Sequence, residues 1–273
     1  MSGFPEDVPP AEGRDLELDK PNPARVYDYL LGGKLNYAMD RAFGDKVIEE
    51  LPDARELCLA NRLWLRRAVR FAVEQGVRQF LDIGSGMPTE GHVHEVAQAL
   101  APESRVVYVD NEPIAVAHSQ IVLEGNDRAE MVMADGETPE SILEHPTTRR
   151  LLDFDQPVLV LLAAMIHFIP DERDPAGMIA RYRDAMAPGS FLALSTDTGE
   201  QQGPDLFRTV ELYKNTSNPL YLRGRAEIRE LMAGFDIVEP GVVFTPEWRP
   251  AHPDDVGDRP ERAVMLAAVG RKP

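Results

Sequence analysis

Asp82, Gly84, Ser85 and Gly86 close an apolar run that includes Val77, Phe80, Leu81 and Ile83, and a helical pattern begins just after them. A strand, a glycine turn and a helix start bring backbone N–H groups to a bound ligand, and glycine removes the Cβ atoms that would hold it off. Asp110 ends the run Val106-Val-Tyr-Val109, and Asp135 ends Met131-Val-Met-Ala134. Three acids at the ends of three successive predicted strands would line one crevice of a doubly wound sheet. A single Asp there is an ordinary helix N-cap; three in register behind the glycine turn point to a cofactor. Asp110 falls 24 residues after Gly86. At that separation a carboxylate meets ribose hydroxyls, through hydrogen bonds of about 1.5–3 kcal/mol each.

The glycine turn alone serves several adenosyl cofactors. A dinucleotide fingerprint wants a third glycine at position 89, where Thr89 stands. An acid before the glycines, Asp110 after the second strand and Asp135 after the third, where an adenine amino group could be read, fit S-adenosylmethionine better. Its positive sulfonium also suits an acidic crevice. His167 ends the fourth apolar run beside the same crevice. It is a candidate general base for a substrate hydroxyl, or else a histidine packed under the next helix. Methyl transfer rests mainly on in-line placement and exclusion of water, so a base is optional. His92 and His94, two apart, face different directions, and His118, His145 and His252 lack partners at ligand spacing, so no metal site is expected. Around Gly32-Gly33, the residues Arg25, Tyr29, Lys34, Asn36 and Tyr37 have the character of a flap closing over cofactor and substrate. The alternative is a helical hairpin that packs its tyrosines on the core.

The elements that must position these groups alternate along the chain. Apolar runs at 77–83, 105–109, 130–134, 158–164 and 191–195 are separated by helical patterns near 89–100, 113–123, 138–143 and 175–186. Continuous apolar strands between helices indicate a parallel sheet covered on both faces. Before the first strand, short helices are expected after Pro21 and over 38–51, and a long one over 56–75. After the fifth come helices around 206–214 and 225–233, then two late runs, 235–244 and 263–269, suited to an antiparallel hairpin at the sheet edge. Residues 1–20, acidic and proline-rich, read as a disordered tail. Residues 21–75 form a helical cap and 76–273 the catalytic domain.

Composition narrows the partners. Asp and Glu number 46 against 29 Lys and Arg, a net charge of −17. That field repels phosphate backbones and anionic membranes, so neither nucleic acid nor a membrane is an expected partner. The one cysteine, Cys58, precludes an internal disulfide. The start has no apolar signal core, and the longest apolar run falls well short of the about 20 residues that span a bilayer. A cytoplasmic location is expected.

The chain resembles the actinobacterial S-adenosyl methyltransferase family, formerly of unknown function. The likeness is carried by Pro21-Asn-Pro-Ala-Arg-Val-Tyr-Asp-Tyr-Leu-Leu-Gly-Gly-Lys34, by Asn61-Arg62 with Arg66-Arg67-Ala-Val-Arg70, and by Phe80-Leu-Asp-Ile-Gly-Ser-Gly-Met-Pro-Thr89. Val107-Tyr-Val-Asp-Asn111, Leu152-Asp-Phe154, His167-Phe168 and Trp248-Arg-Pro250 complete it. The resemblance implies an α/β fold of the class I, Rossmann-like methyltransferase type: seven strands, mostly parallel, the last antiparallel, with an N-terminal helical cap. It carries over Gly84, Ser85, Gly86, Asp110, Asn111 and Asp135 as cofactor contacts; Gly136 and Ala164 complete the expected set. Leu35 and His92 depart from the family pattern, which usually has an acid and an Asn there.

The expected function is transfer of a methyl group from S-adenosylmethionine to an oxygen or nitrogen of a small molecule, with His167 as the catalytic candidate; the actinobacterial resemblance adds secondary metabolism as the expected setting. Two rivals stand beside it. One is a nicotinamide-dependent oxidoreductase, disfavoured by Thr89 and Asp135. The other is a protein that binds S-adenosylmethionine without catalysis.

Overall fold

Five of the apolar runs form parallel strands in one twisted sheet: β1 (Gln79–Ile83), β2 (Arg105–Asp110), β3 (Ala129–Met133), β4 (Leu159–Ala163) and β5 (Phe191–Asp197). The structure is a computed structural model that describes residues 19–89 and 91–273; the expected tail lies, up to residue 18, outside them. Two two-residue strands, β6 (Asp236–Ile237) and β7 (Val243–Phe244), and the long β8 (Met265–Arg271) follow. The sheet order is β3-β2-β1-β4-β5-β8-β6, and β7 also pairs with β8. The late runs do pair antiparallel, but β8 is not at the edge. It lies between β5 and β6, with Met265 opposite Asp197 and Arg271 opposite Phe191. Pro240 and Gly241 interrupt the 235–244 run, because proline has no N–H for the ladder, so the expected sixth strand is split and the sheet has eight strands. A twenty-residue excursion of short helical turns, not a short connection, joins β7 to β8.

Chain reversal after β3 puts β1 and β4 side by side, and this switch point is where the crevice opens. Helices α4 (Val93–Leu100), α5 (Pro113–Val122), α6 (Pro139–Leu143), α7 (Pro146–Leu151) and α8 (Pro175–Ala185) connect the strands. Period-2 alternation sends Phe80, Tyr108, Leu159 and Leu161 to one face, against the helix α3 (Ala54–Glu74). Leu81, Ile83, Val107, Val160 and Leu192 go to the other, against α8. Asp82 shares the face of Phe80.

α3 does two jobs along its 21 residues. Trp64, Ala68, Val69 and Ala72, fully buried, pack on the sheet; each large side chain so buried contributes about 1.5–3 kcal/mol. Its first turns overhang the C-terminal strand ends, and there Leu57 and Cys58 join Val26, Leu30, Val47 and Leu51 in a separate apolar core. That core belongs to α1 (Pro23–Leu30) and α2 (Ala38–Glu50), and α9 (Pro204–Lys214) supplies Leu206 to it. A last helix, α10 (Arg225–Leu231), packs beside α8. Segment 21–75 therefore holds a roof, α1 and α2, and a helix that is half roof and half sheet cover.

Candidate active site

A cavity of about 340 Å³ lies between the C-terminal strand ends and the roof. Gly84, Ser85, Gly86, Asp110, Asn111, Asp135, Gly136, Ala164 and His167 all line it, so the expected cofactor set and the catalytic candidate converge on one space.

The glycine turn is held by β2. The N–H groups of Gly84 and Ser85 donate to the Val109 carbonyl at 2.8 and 3.1 Å, and that of Gly86 donates to Asp110 Oδ2 at 2.8 Å. The other carboxylate oxygen, Oδ1, accepts from Glu112 N at 2.8 Å. Asp110 thus pins the turn while each oxygen keeps a lone pair for a ligand hydroxyl. Gly84 has φ of 68°, where side chains are strained, and a Cβ there would sit 2.8 Å from Met165 Cγ. A Cβ on Gly86 would meet nothing closer than Ala24 of α1, at 3.9 Å, so it would project into the cavity itself. Ser85 Oγ is buried with no partner among the described residues. An orphaned hydroxyl and a turn open to the cavity, each beside acids, fit a polar, positively charged adenosyl ligand.

Asp82 also lines the cavity and is buried. Burial pushes its carboxyl up to about 7, with Asp110 adding to the rise and the guanidinium of Arg62 opposing it. Arg62 in turn donates to Thr89 Oγ1 at 2.5 Å. His92 Nε2 accepts from Thr89 N, and burial, with Arg62 and His94 adding to it, drops its pKa to about 3. His92 is therefore a neutral clasp on the glycine loop, which accounts for a histidine at that position.

At the other end, β4 turns out of the sheet at Ala164, a non-glycine residue with φ of 56°. Its N–H donates to Ser195 Oγ at 3.0 Å, which donates to Asn61 Oδ1 at 2.7 Å; Asn61 Nδ2 donates to Tyr27 OH at 3.1 Å, and Tyr27 to the Cys58 carbonyl at 3.0 Å. This chain ties α1 and α3 to β4 and β5. The next residues form a short turn, Ile166–Phe168, stapled by Arg223, which donates to the Ile166 and Ile169 carbonyls at 2.8 and 2.6 Å. His167 is buried, and its Nδ1 accepts from Asp197 N at 3.2 Å. In the neutral ring the proton then sits on Nε2. Burial pushes the His167 pKa down and the Asp197 pKa up, each partly offset by the other's charge. At 3.8 Å, Nδ1 and Asp197 Oδ2 are beyond hydrogen-bond range.

The expected flap residues do not reach the cavity. Arg25 is buried in an ionic cluster, with Nε on Asp40 at 2.8 Å and Nη1 on Glu112 at 2.6 Å. Tyr29 bonds Asp45 at 2.6 Å on the outer side, and Asn36 donates to Asp28 at 2.8 Å. Lys34 and Tyr37 are exposed. The roof's cavity-facing residues are instead Asn22, Pro23, Ala24, Tyr27 and Asp28. Helical spacing explains the difference: positions 23, 24, 27 and 28 share one face, whereas 25 and 29 lie on another. That signal was present in the sequence. Asp82, which stands in the glycine motif, and Asn61 and Arg62, which belong to the family likeness, also line the cavity; Asp197 lines it too and carries no motif that names it. Leu35 packs near Met87, Ile114 and Ala115, which accounts for an apolar residue in place of an acid.

A family profile described as S-adenosyl methyltransferase matches residues 10–273. A candidate methyltransferase of Thermobifida fusca YX is 39% identical, covers 94% of this chain and 97% of its own, and superposes with a TM-score of 0.89. A DUF574 family protein of Streptomyces avermitilis MA-4680 is 41% identical over 95% of this chain and 100% of its own, with a TM-score of 0.91. The S-adenosylmethionine-dependent methyltransferase SibL, 19% identical, shares the fold with a TM-score of 0.52 over 97% of this chain and 64% of its own. No curated protein matches the sequence significantly. With the glycine turn, its acids and the roofed crevice in one place, the chain belongs to the S-adenosyl methyltransferase family and is an S-adenosylmethionine-dependent methyltransferase.

Proposed function

We propose that the protein methylates an oxygen or nitrogen atom of a small molecule inside the roofed cavity. The observation that carries this reading is the apolar wall that the cavity offers beside the acids of the glycine turn. The apolar part of the cavity is walled by Leu51, Leu57, Leu206, Tyr213 and Met265. A concave, roofed site with an apolar wall and a few convergent polar groups suits a compact, largely apolar molecule.

When bound, S-adenosylmethionine supplies an electrophilic methyl group on a sulfonium. The glycine turn would receive the methionine end, where Asp82 pairs with its ammonium. Asp110 would hold the ribose hydroxyls and Asp135 would approach the adenine. The roof then excludes water while the acceptor is held in line. Asn111, Gly136 and Ala164 shape the floor, and His167 presents an Nε2–H to an acceptor oxygen. A cytoplasmic location agrees with dependence on an intracellular cofactor.

The test is incubation of purified protein with S-adenosylmethionine and a pooled metabolite extract, read by mass spectrometry. A small-molecule feature gains one methyl group as S-adenosylhomocysteine forms. Methylation of added protein or nucleic acid alone would refute the reading.

A further inference from the structure

Asp197 is the buried acid that the cofactor site does not use. It ends β5, two strands from β1 in the sheet order and roughly 10 Å away at the usual strand spacing. Asp82, Asp110 and Asp135 all lie on the other side, on or after β1, β2 and β3. Asp197 lines the cavity, yet its Oδ1 is fully buried with no hydrogen-bond partner among the described residues. An unpartnered buried carboxylate oxygen costs free energy and calls for a reason, and at the wall of a cavity a ligand is such a reason. Its surroundings are protonated neutral groups. Tyr27, Cys58 and Tyr213 are held in their neutral forms by burial first, and the charge of Asp197 adds to that. His167 cannot take a proton at Nδ1, which is occupied by Asp197 N–H.

We propose that Asp197 is the proton acceptor for the methyl acceptor, so that the substrate is an apolar molecule presenting a hydroxyl or a protonated amine, not a carboxylate, to the Asp197 carboxylate. This rests on the methyltransferase reading above. For a hydroxyl, the oxygen lone pair forms the new C–O bond as the methyl–sulfur bond breaks, with its electron pair left on sulfur. The hydroxyl proton passes to Asp197, and neutral S-adenosylhomocysteine leaves. For an amine, the ammonium proton passes to Asp197 first, which frees the nitrogen lone pair.

The experiment uses full-length protein saturated with S-adenosylhomocysteine. Benzyl alcohol, benzylamine and benzoate, matched in body and differing in head group, serve as probes in saturation-transfer NMR. Wild type is expected to take the alcohol and the amine and to bind benzoate about tenfold or more weakly. Asp197→Asn is expected to lose the amine by a similar factor and to admit benzoate, with S-adenosylhomocysteine affinity by calorimetry unchanged. The variant separates this acid from the general negative field, which would favour the amine equally in both proteins. Benzoate binding as well as the amine in wild type, no saturation of any probe, or an unchanged profile in the variant overturns the proposal. Should Asp197→Asn fail to fold, the wild-type ranking of the three probes still decides. Failure of wild type to bind S-adenosylhomocysteine would instead overturn the cofactor assignment.

Discussion

Asp110 braces the glycine turn through Gly86 N, and in the proposed reading its remaining lone pairs take the ribose hydroxyls. Asp110→Ala is expected to weaken S-adenosylhomocysteine binding by about 10–100-fold, read by titration calorimetry, since charge-assisted hydrogen bonds of this kind carry about 1.5–3 kcal/mol. Asp82 makes a different prediction. Its folded pKa of about 7 is raised above the unfolded value. Its contribution to stability is therefore present below the unfolded pKa of about 4 and is lost as pH rises through 7. Asp82→Asn should flatten the loss of stability of the ligand-free protein between pH 5 and pH 8, measured by urea unfolding at several pH values. Pairing with the cofactor's ammonium requires the ionised form, so wild type should release a proton on binding near neutral pH. Calorimetry in two buffers of different ionisation enthalpy measures that release. His92 has the opposite sign. Its folded pKa, about 3, lies below the unfolded value, so its contribution falls as pH drops from about 6.5.

At the scale of elements, the roof is docked rather than hinged at its glycines. Arg25 joins α1 to Asp40 of α2 and to Glu112 at the start of α5, two residues from Asp110. Removing one member leaves buried carboxylates uncompensated, so Arg25→Met should cost about 3 kcal/mol in urea unfolding. Because Glu112 adjoins Asp110, the proposed ribose-binding carboxylate, S-adenosylhomocysteine affinity should fall too, although Arg25 itself does not line the cavity. The Tyr27–Asn61–Ser195–Ala164 chain is the second tether. Asn61→Leu, which leaves a tyrosine hydroxyl and a serine hydroxyl without their partner, is expected to be destabilising by about 1–3 kcal/mol.

For the whole molecule, the sheet order places Asp82, Asp110 and Asp135 at one end of the crevice and Asp197 at the other, with β4 between them. The whole chain carries a net charge of −17. Self-repulsion of that size is screened by salt, as the Debye length shortens from about 30 Å at 0.01 M to about 8 Å at 0.15 M. The melting temperature should therefore rise with NaCl over that interval, and a fall would mean that ion pairs such as Arg262–Asp53 outweigh the global field. No helix among the described residues is long and apolar enough to cross a membrane.

The parallel strands, the glycine turn and the acids behind them were legible because each depends on local periodicity and on neighbours a few residues away. Asp110 and Asp135 could be placed at strand ends without knowing what surrounds them. The split of the sixth strand was legible only in part: Pro240 and Gly241 signal a break, but the insertion of β8 between β5 and β6 is a long-range pairing that local pattern does not specify. The roof shows the same boundary. Its helices followed from prolines, glycines and apolar spacing, whereas the ionic cluster that turns Arg25 away from the cavity unites residues 87 positions apart. Asp197 marks the limit most plainly. In the sequence it is one acid among 46 Asp and Glu. Tertiary packing alone buries it beside His167, leaves one oxygen unpartnered and faces it across the crevice from the glycine turn, because burial and orphaned hydrogen bonds arise from contacts between elements far apart in the chain.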